Sequence, residues 1–217
     1  MSRMSSGVRR CLTGLLGDRS GIAATEFAVI VPLMLVMFLG TVEFSTGLGI
    51  DRKVTLVART LSDLASQSST PPAPAQVSSP ITDSDLTNIF TASIAILTPY
   101  PPVPAKMTLS EVYVDSTGVA KIKWSKAAAI GSNNDTQATL VASNHTFDEN
   151  VTNKMPPALL VRKTYIIYSE VSYQYLPSIG YVMGKSGVNL SDSSYTRPRQ
   201  VLCVTYNNVP TTDCPTL

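Results

Sequence analysis

One stretch of the chain breaks the usual mixture of apolar and polar positions. From Ile22 to Val42 it reads IAATEFAVIVPLMLVMFLGTV, with no polar side chain between Ala28 and Leu39. Twenty-one helical residues at 1.5 Å each span roughly 31 Å, enough to cross the hydrocarbon core of a bilayer. Beyond it the pattern changes to a narrow helical stripe. Ile50, Val54, Val57, Leu61 and Leu64 recur at intervals of four and three, while Asp51, Arg52, Lys53, Arg59 and Asp63 fill the other faces. Such a stripe packs either on the body of its own chain or on a partner helix. Residues 66–80, SQSSTPPAPAQVSSP, then lose all periodicity and read as a linker.

The remaining segments predict a small α+β body. Ile81 to Leu97 carries Leu86, Ile89, Phe90, Ile94 and Leu97 on one side of a helix, with Thr82 or Asp83 as the cap. Met107–Val114 and Val119–Trp124 flank Asp115-Ser116-Thr117-Gly118, a hairpin connection. Simple alternation puts Ala120, Ile122 and Trp124 on one face. Leu159–Tyr175 is a long strand-like run rich in Val, Ile and Tyr, and Val201–Tyr206 reads as a fourth strand. The expected body is an antiparallel sheet with one or two covering helices behind a long hydrophobic N-terminal helix.

Charge adds a direction. Arg3, Arg9, Arg10 and Arg19 precede the apolar run against a single acid, Asp18, whereas the other 196 residues carry 13 basic and 14 acidic side chains. That asymmetry predicts a cytoplasmic N-terminus and a translocated body. A net charge of +2 gives no basic surface for nucleic acid. Of the three cysteines, Cys11 lies in the basic head, while Cys203 and Cys214 close the other end. In an oxidising compartment the latter two are expected to form a disulfide worth about 3 kcal/mol by chain entropy.

Glu26 does not suit a simple anchor. A carboxylate in an apolar helix costs about 2–3 kcal/mol even on lenient insertion scales, so it either lies shallow enough to reach water or awaits a cation from another chain. Just upstream lies Gly17-Asp18-Arg19-Ser20-Gly21. A basic leader, a small residue and then an apolar helix with an acid a few residues in is the layout of a prepilin, whose cut precedes the apolar stretch instead of following it. Cleavage after Gly21 makes Ile22 the new N-terminus and Glu26 the fifth mature residue. The freed α-amino group of one subunit then has Glu26 of a neighbour to pair with, and the adjacent Phe27 falls in the same assembly segment.

Gly21-Ile22-Ala23-Ala24-Thr25-Glu26-Phe27-Ala28, with Pro32, Gly40 and Glu43-Phe44, resembles the N-terminal module of TadE/TadG-like pseudopilins, minor pilin-like components of tight-adherence (Flp, type IVc) pilus systems. The similarity runs from about Ser20 to Leu64. Thr25 stands where an apolar residue is expected. The resemblance implies removal of residues 1–21 by a prepilin peptidase, a transmembrane and stalk helix over 22–65, the linker 66–80 and an extracytoplasmic domain over 81–217. It also implies inner-membrane anchorage and partnership with other pilin subunits and the pilus machinery.

No cofactor, metal site or enzymatic activity is expected. Gly180-Tyr181-Val182-Met183-Gly184-Lys185-Ser186 is one residue short of a phosphate-binding loop and lacks the flanking strand and helix. His145, the only histidine, sits in the polar stretch Ser143–Thr146 and reads as a solvated loop. Tyr165, Tyr168, Tyr173, Tyr175 and Tyr181 read as sheet faces or as a contact patch. The competing functional readings are an uncleaved single-pass protein with an extracytoplasmic binding domain and, more remotely, a tethered enzyme built around a converging polar cleft.

Overall fold

The structure, a computed structural model, describes residues 20–68, 80–131, 136–177 and 187–207. Most of the expected leader, most of the linker, the glycine-containing segment 180–186 and Cys214 lie outside the described residues. The first element, α1, runs from Ser20 to Ser66, 47 residues without a break at Pro32. The chain forms two compact units, Met1–Ser45 and Thr46–Leu217, which divide inside this helix.

In the first unit, side chains from Gly21 to Val42 are exposed or only partly covered. The two threonines bond back along the helix: Thr25 Oγ1 donates to the carbonyl of Ile22 at 2.8 Å and Thr41 Oγ1 to that of Met37 at 2.8 Å. Both hydroxyls are thereby satisfied without water, so Thr25 is compatible with an apolar environment.

In the second unit the stripe of α1 becomes core. Ile50, Val54, Val57, Ala58, Leu61 and Ala65 are all buried, so the stripe packs on the chain's own body, and Leu64 lies at its margin, partly buried. A second helix, α2, spans Asp83–Ile94 and continues as a 3-10 turn over Ala95–Leu97. Thr82 caps it through a reciprocal box. Thr82 Oγ1 accepts from the Asp85 N–H, and the Thr82 N–H donates to the Asp85 carboxylate at 3.0 Å. The Thr82 hydroxyl, which donates to the Asp85 carboxylate at 2.6 Å, and then the Thr82 N–H hold the Asp85 carboxyl below the usual carboxylate range. Leu86, Phe90, Ile94 and Leu97 turn inward.

Five strands follow: β1 (Ala105–Val114), β2 (Ala120–Ile130), β3 (Ala138–Val141), β4 (Thr164–Tyr175) and β5 (Val188–Thr196). They form one antiparallel sheet in the order β3-β2-β1-β4-β5. The β1–β2 turn is fixed by Asp115, whose Oδ1 accepts from the N–H groups of Thr117 and Val119, and by Gly118 at φ 92°. Ala105, Met107, Leu109, Ile167, Val171 and Tyr173 join the helices in the larger core. Polar stitches tie α1 to that face, among them Ser169 Oγ donating to the carbonyl of Ala58 at 2.7 Å. A second core of Val112, Val114, Ala120, Ile122, Ile166 and Tyr168 also includes Val151 and Met155 from the β3–β4 connection.

The sheet departs from simple alternation at one point. Glu111 pairs with Trp124 but Val112 pairs with Ile122, leaving Lys123 as an extra residue in β2. This bulge reverses the side-chain phase. Trp124 therefore enters the helix-side core while Ala120 and Ile122 enter the other, correcting the expectation of a shared face. The expected strand over Val201–Tyr206 is also absent; only Tyr206 makes a parallel bridge, with Ile81. Its peptide groups are claimed otherwise. The Val204 N–H donates to Glu111 Oε1 at 2.5 Å, Trp124 Nε1–H donates to the Val204 carbonyl at 2.6 Å, and the Ile81 N–H donates to the Thr205 carbonyl at 2.7 Å.

Candidate functional site

Two features of the chain bear on function, one in each unit. The first is the apolar helix itself. Within α1 an 18-residue window reaches a mean hydropathy of 2.3 with none of it buried, so by length and composition the helix is able to cross a membrane. Phe27 is 68% exposed and Val29 73% exposed, and Leu33 to Phe38 are exposed in an unbroken row. Apolar surface of this extent needs a lipid or protein environment. Gly21 and Ile22 lie in the first turns of the helix, with open space around the Gly21 Cα. Glu26 follows one turn later, exposed and without a hydrogen-bond or ion-pair partner among the described residues.

The second feature is a groove of about 500 Å³ on the sheet face away from the helices, lined among others by Lys106, Thr108, His145, Lys154, Glu170 and Ser191. Its wall is a hydrogen-bonded network. His145 lies between two carboxylates, Nδ1 at 3.0 Å from Glu149 Oε2 and Nε2 at 2.6 Å from Glu170 Oε2. Its side chain is only 4% exposed, which corrects the expectation of a solvated loop histidine. Glu149 sits one helical-turn equivalent away in sequence, but Glu170 comes from β4 and only the fold brings it near. Glu170 Oε1 also accepts from the Tyr168 hydroxyl at 2.5 Å and lies 3.5 Å from Lys154 Nζ. The Tyr168 ring stacks on Tyr195 with centroids 5.1 Å apart, and the Tyr195 hydroxyl donates to the Lys154 carbonyl at 2.6 Å.

These contacts set the charge states of the wall. The Thr146 N–H and then His145 hold the Glu149 carboxyl below the usual carboxylate range. For Glu170 burial pushes upward, but the Tyr168 hydroxyl, His145 and Lys154 together outweigh it and leave the carboxyl low. Burial and the adjacent Glu170 raise the Tyr168 phenol far above its ordinary value, so it stays a donor. Among the described residues no group of three or more His, Cys, Asp and Glu side chains is arranged to hold a metal ion.

Compared with known proteins, residues 21–61 match the family model described as TadE-like protein. The N-terminal helix is thus similar to the TadE-like family over these residues. No curated protein and no solved structure matches the chain. The TadE-like match covers the whole exposed apolar segment and ends at Leu61, inside the body's core. It is consistent with a protein of the Tad pilus system, and the apolar helix fits membrane anchoring.

Gly21, Ile22, Glu26 and Phe27 all lie within about the first two turns of α1. The cysteine pair is seen from one end only: Cys203 is fully buried and disulfide-bonded, while Cys214 lies outside the described residues. Of the tyrosines, Tyr165, Tyr168, Tyr173 and Tyr175 are buried on the sheet, and Tyr181 lies outside the described residues. No local pattern in the sequence marks the groove. The one available signal was His145 with Glu149 four residues on, and the partner that closes the network is 25 residues away.

Proposed function

We propose that the chain is a minor, pseudopilin-type assembly component of a tight-adherence (Flp-type) pilus. The observation that carries this reading is the TadE-like match over 21–61 coinciding with a helix whose apolar N-terminal part is exposed among the described residues. In this account a prepilin peptidase cuts between Gly21 and Ile22 at the cytoplasmic face of the inner membrane. The arginines upstream stay inside, and the α+β body lies in the periplasm. The new α-amino group of one subunit then meets Glu26 of another, which offsets the desolvation of both charges in the bilayer and sets the axial register. Phe27, beside it on the lipid-exposed surface, packs against the neighbouring helix. In the same oxidising compartment Cys203 is bridged to Cys214, and the role of the protein is structural, not catalytic.

The test is Glu26→Gln in the cells that make the pilus. The expected result is normal membrane insertion and an unaltered body, with loss of cross-linking to other pilin subunits and loss of pilus-dependent attachment. Assembly at the wild-type level with glutamine at 26 contradicts the pairing and favours an uncleaved tether with an extracytoplasmic binding domain.

A further inference from the structure

The outer face of the sheet is laid out in register rows that grade from apolar to polar. Val112 lies between Ile122 and Ile166, a row in the smaller core, with Val151 and Met155 of the β3–β4 connection. The next row is Ser110 with Tyr168 and Tyr195, then Thr108 with Glu170 and Ser193, and last Lys106 with Ser172 and Ser191. Where the rows turn polar, the groove opens. The short side chains of Ser172, Ser191 and Ser193 add little apolar packing to this face and leave its polar end open.

The groove separates into a fixed wall and free groups. His145, Glu149, Glu170 and Tyr168 hold one another, with both imidazole nitrogens engaged. Locked rotamers of this kind preorganise a site. By contrast, the Lys106 ammonium, the hydroxyls of Thr108, Ser172 and Ser191, and the Asn144 amide line the same groove and make no side-chain hydrogen bond among the described residues. Four of these five are neutral, and each of those four both donates and accepts.

Charge narrows the ligand. A compact anion meets the carboxylates of Glu149 and Glu170 and, at the same groove, Asp192; a compact cation meets Lys106 and Lys154. Neither sign is favoured, so the complementary ligand is neutral and carries many hydroxyls. A volume of about 500 Å³ is within the range of small-ligand sites, roughly 300–1,000 Å³, and suits one or two sugar rings. We propose that this groove is a saccharide-binding site, in which Lys106, Thr108, Asn144, Ser172 and Ser191 take the sugar hydroxyls against the His145–Glu170 wall. This inference does not depend on the pilus reading, since it concerns the second unit alone.

The experiment uses the full chain in lipid nanodiscs or in a detergent without a sugar head group. Short neutral and N-acetylated oligosaccharides are titrated in and followed by saturation-transfer NMR. Ser191→Trp fills the groove from the exposed β5 position, and Lys106→Ala trims its lip; thermal melting of each variant checks the fold. The expected result is saturable saccharide binding that Ser191→Trp abolishes and Lys106→Ala weakens, with melting unchanged. Should Ser191→Trp disturb folding, Ser172→Ala together with Lys106→Ala gives the same reading. Absence of saturable binding across the panel overturns the proposal. So does binding that the variants leave intact, or a preference for inorganic phosphate or a lysine-rich peptide over every saccharide.

Discussion

Glu111 offers the sharpest test of the body's energetics. It sits in β1 opposite the bulge, with no exposed surface, and its Oε1 accepts the Val204 N–H while Oε2 has no hydrogen-bond partner. Burial pushes its carboxyl up to about 8, against smaller downward pulls from the Val204 N–H, Trp124 and Lys123. The folded protein therefore keeps this proton in a range where the unfolded chain, at the ordinary value of 4.5, has lost it. The sign follows from that difference. The favourable contribution is complete below the unfolded value and is lost as pH rises from there through the folded value. At up to about 1.4 kcal/mol for each pH unit, and less near either end of the interval, the loss between pH 5 and pH 8 amounts to about 3–4 kcal/mol.

Glu111→Gln removes the titration but keeps an oxygen to accept the Val204 N–H. Its stability should stay flat over the interval in which the wild type declines. The difference between the two curves isolates Glu111 from every titrating group they share. Denaturant unfolding at a series of pH values measures it, followed by the fluorescence of Trp124, whose indole N–H donates to the carbonyl of the same residue, Val204. Parallel curves for the two proteins would refute the reasoning.

Other consequences are equally direct. Leu61→Ala, at a fully buried position of α1, should destabilise the body by about 2–5 kcal/mol. Leu35→Ala on the exposed apolar surface should leave body unfolding unchanged, and equal effects would deny that the body begins within the helix. Thr82→Ala removes one half of the capping box and should cost about 1 kcal/mol in denaturant unfolding. The depressed carboxyls of Glu149 and Glu170 contribute stability that is present above the ordinary carboxylate value and lost as pH falls through their lower folded values. Replacing both by Gln should flatten the acid limb of the stability profile, and an unaltered limb would contradict the network around His145.

The elements whose physics is local could be read from the chain. The apolar run, the Thr82 cap with Asp85 three residues on, the stripe from Ile50 to Leu61 and the Asp115–Gly118 turn each carry their cause within a few residues. What escaped depends on partners distant in sequence. The bulge at Lys123 is visible only in the pairing with β1. The Val188–Thr196 strand, NLSDSSY at its centre, has little strand propensity and owes its form to the ladder with β4. Val201–Tyr206 has the composition of a strand, yet Glu111 and Trp124 claim its peptide groups. His145 looked solvated because Glu170, which covers one ring nitrogen, comes from another strand. The motif from Gly21 to Phe27, proposed above for cleavage and assembly, is of the local kind, since small residue, acid and apolar helix lie side by side.

The central claim is that this chain is handled as a pilin-like subunit, and the N-terminal residue of the mature protein tests it most directly. Intact mass and terminal sequencing of material from native membranes should give Ile22, with the leader gone and the apolar helix kept. A chain beginning at Met1, or one cut downstream of Gly40, would contradict the account.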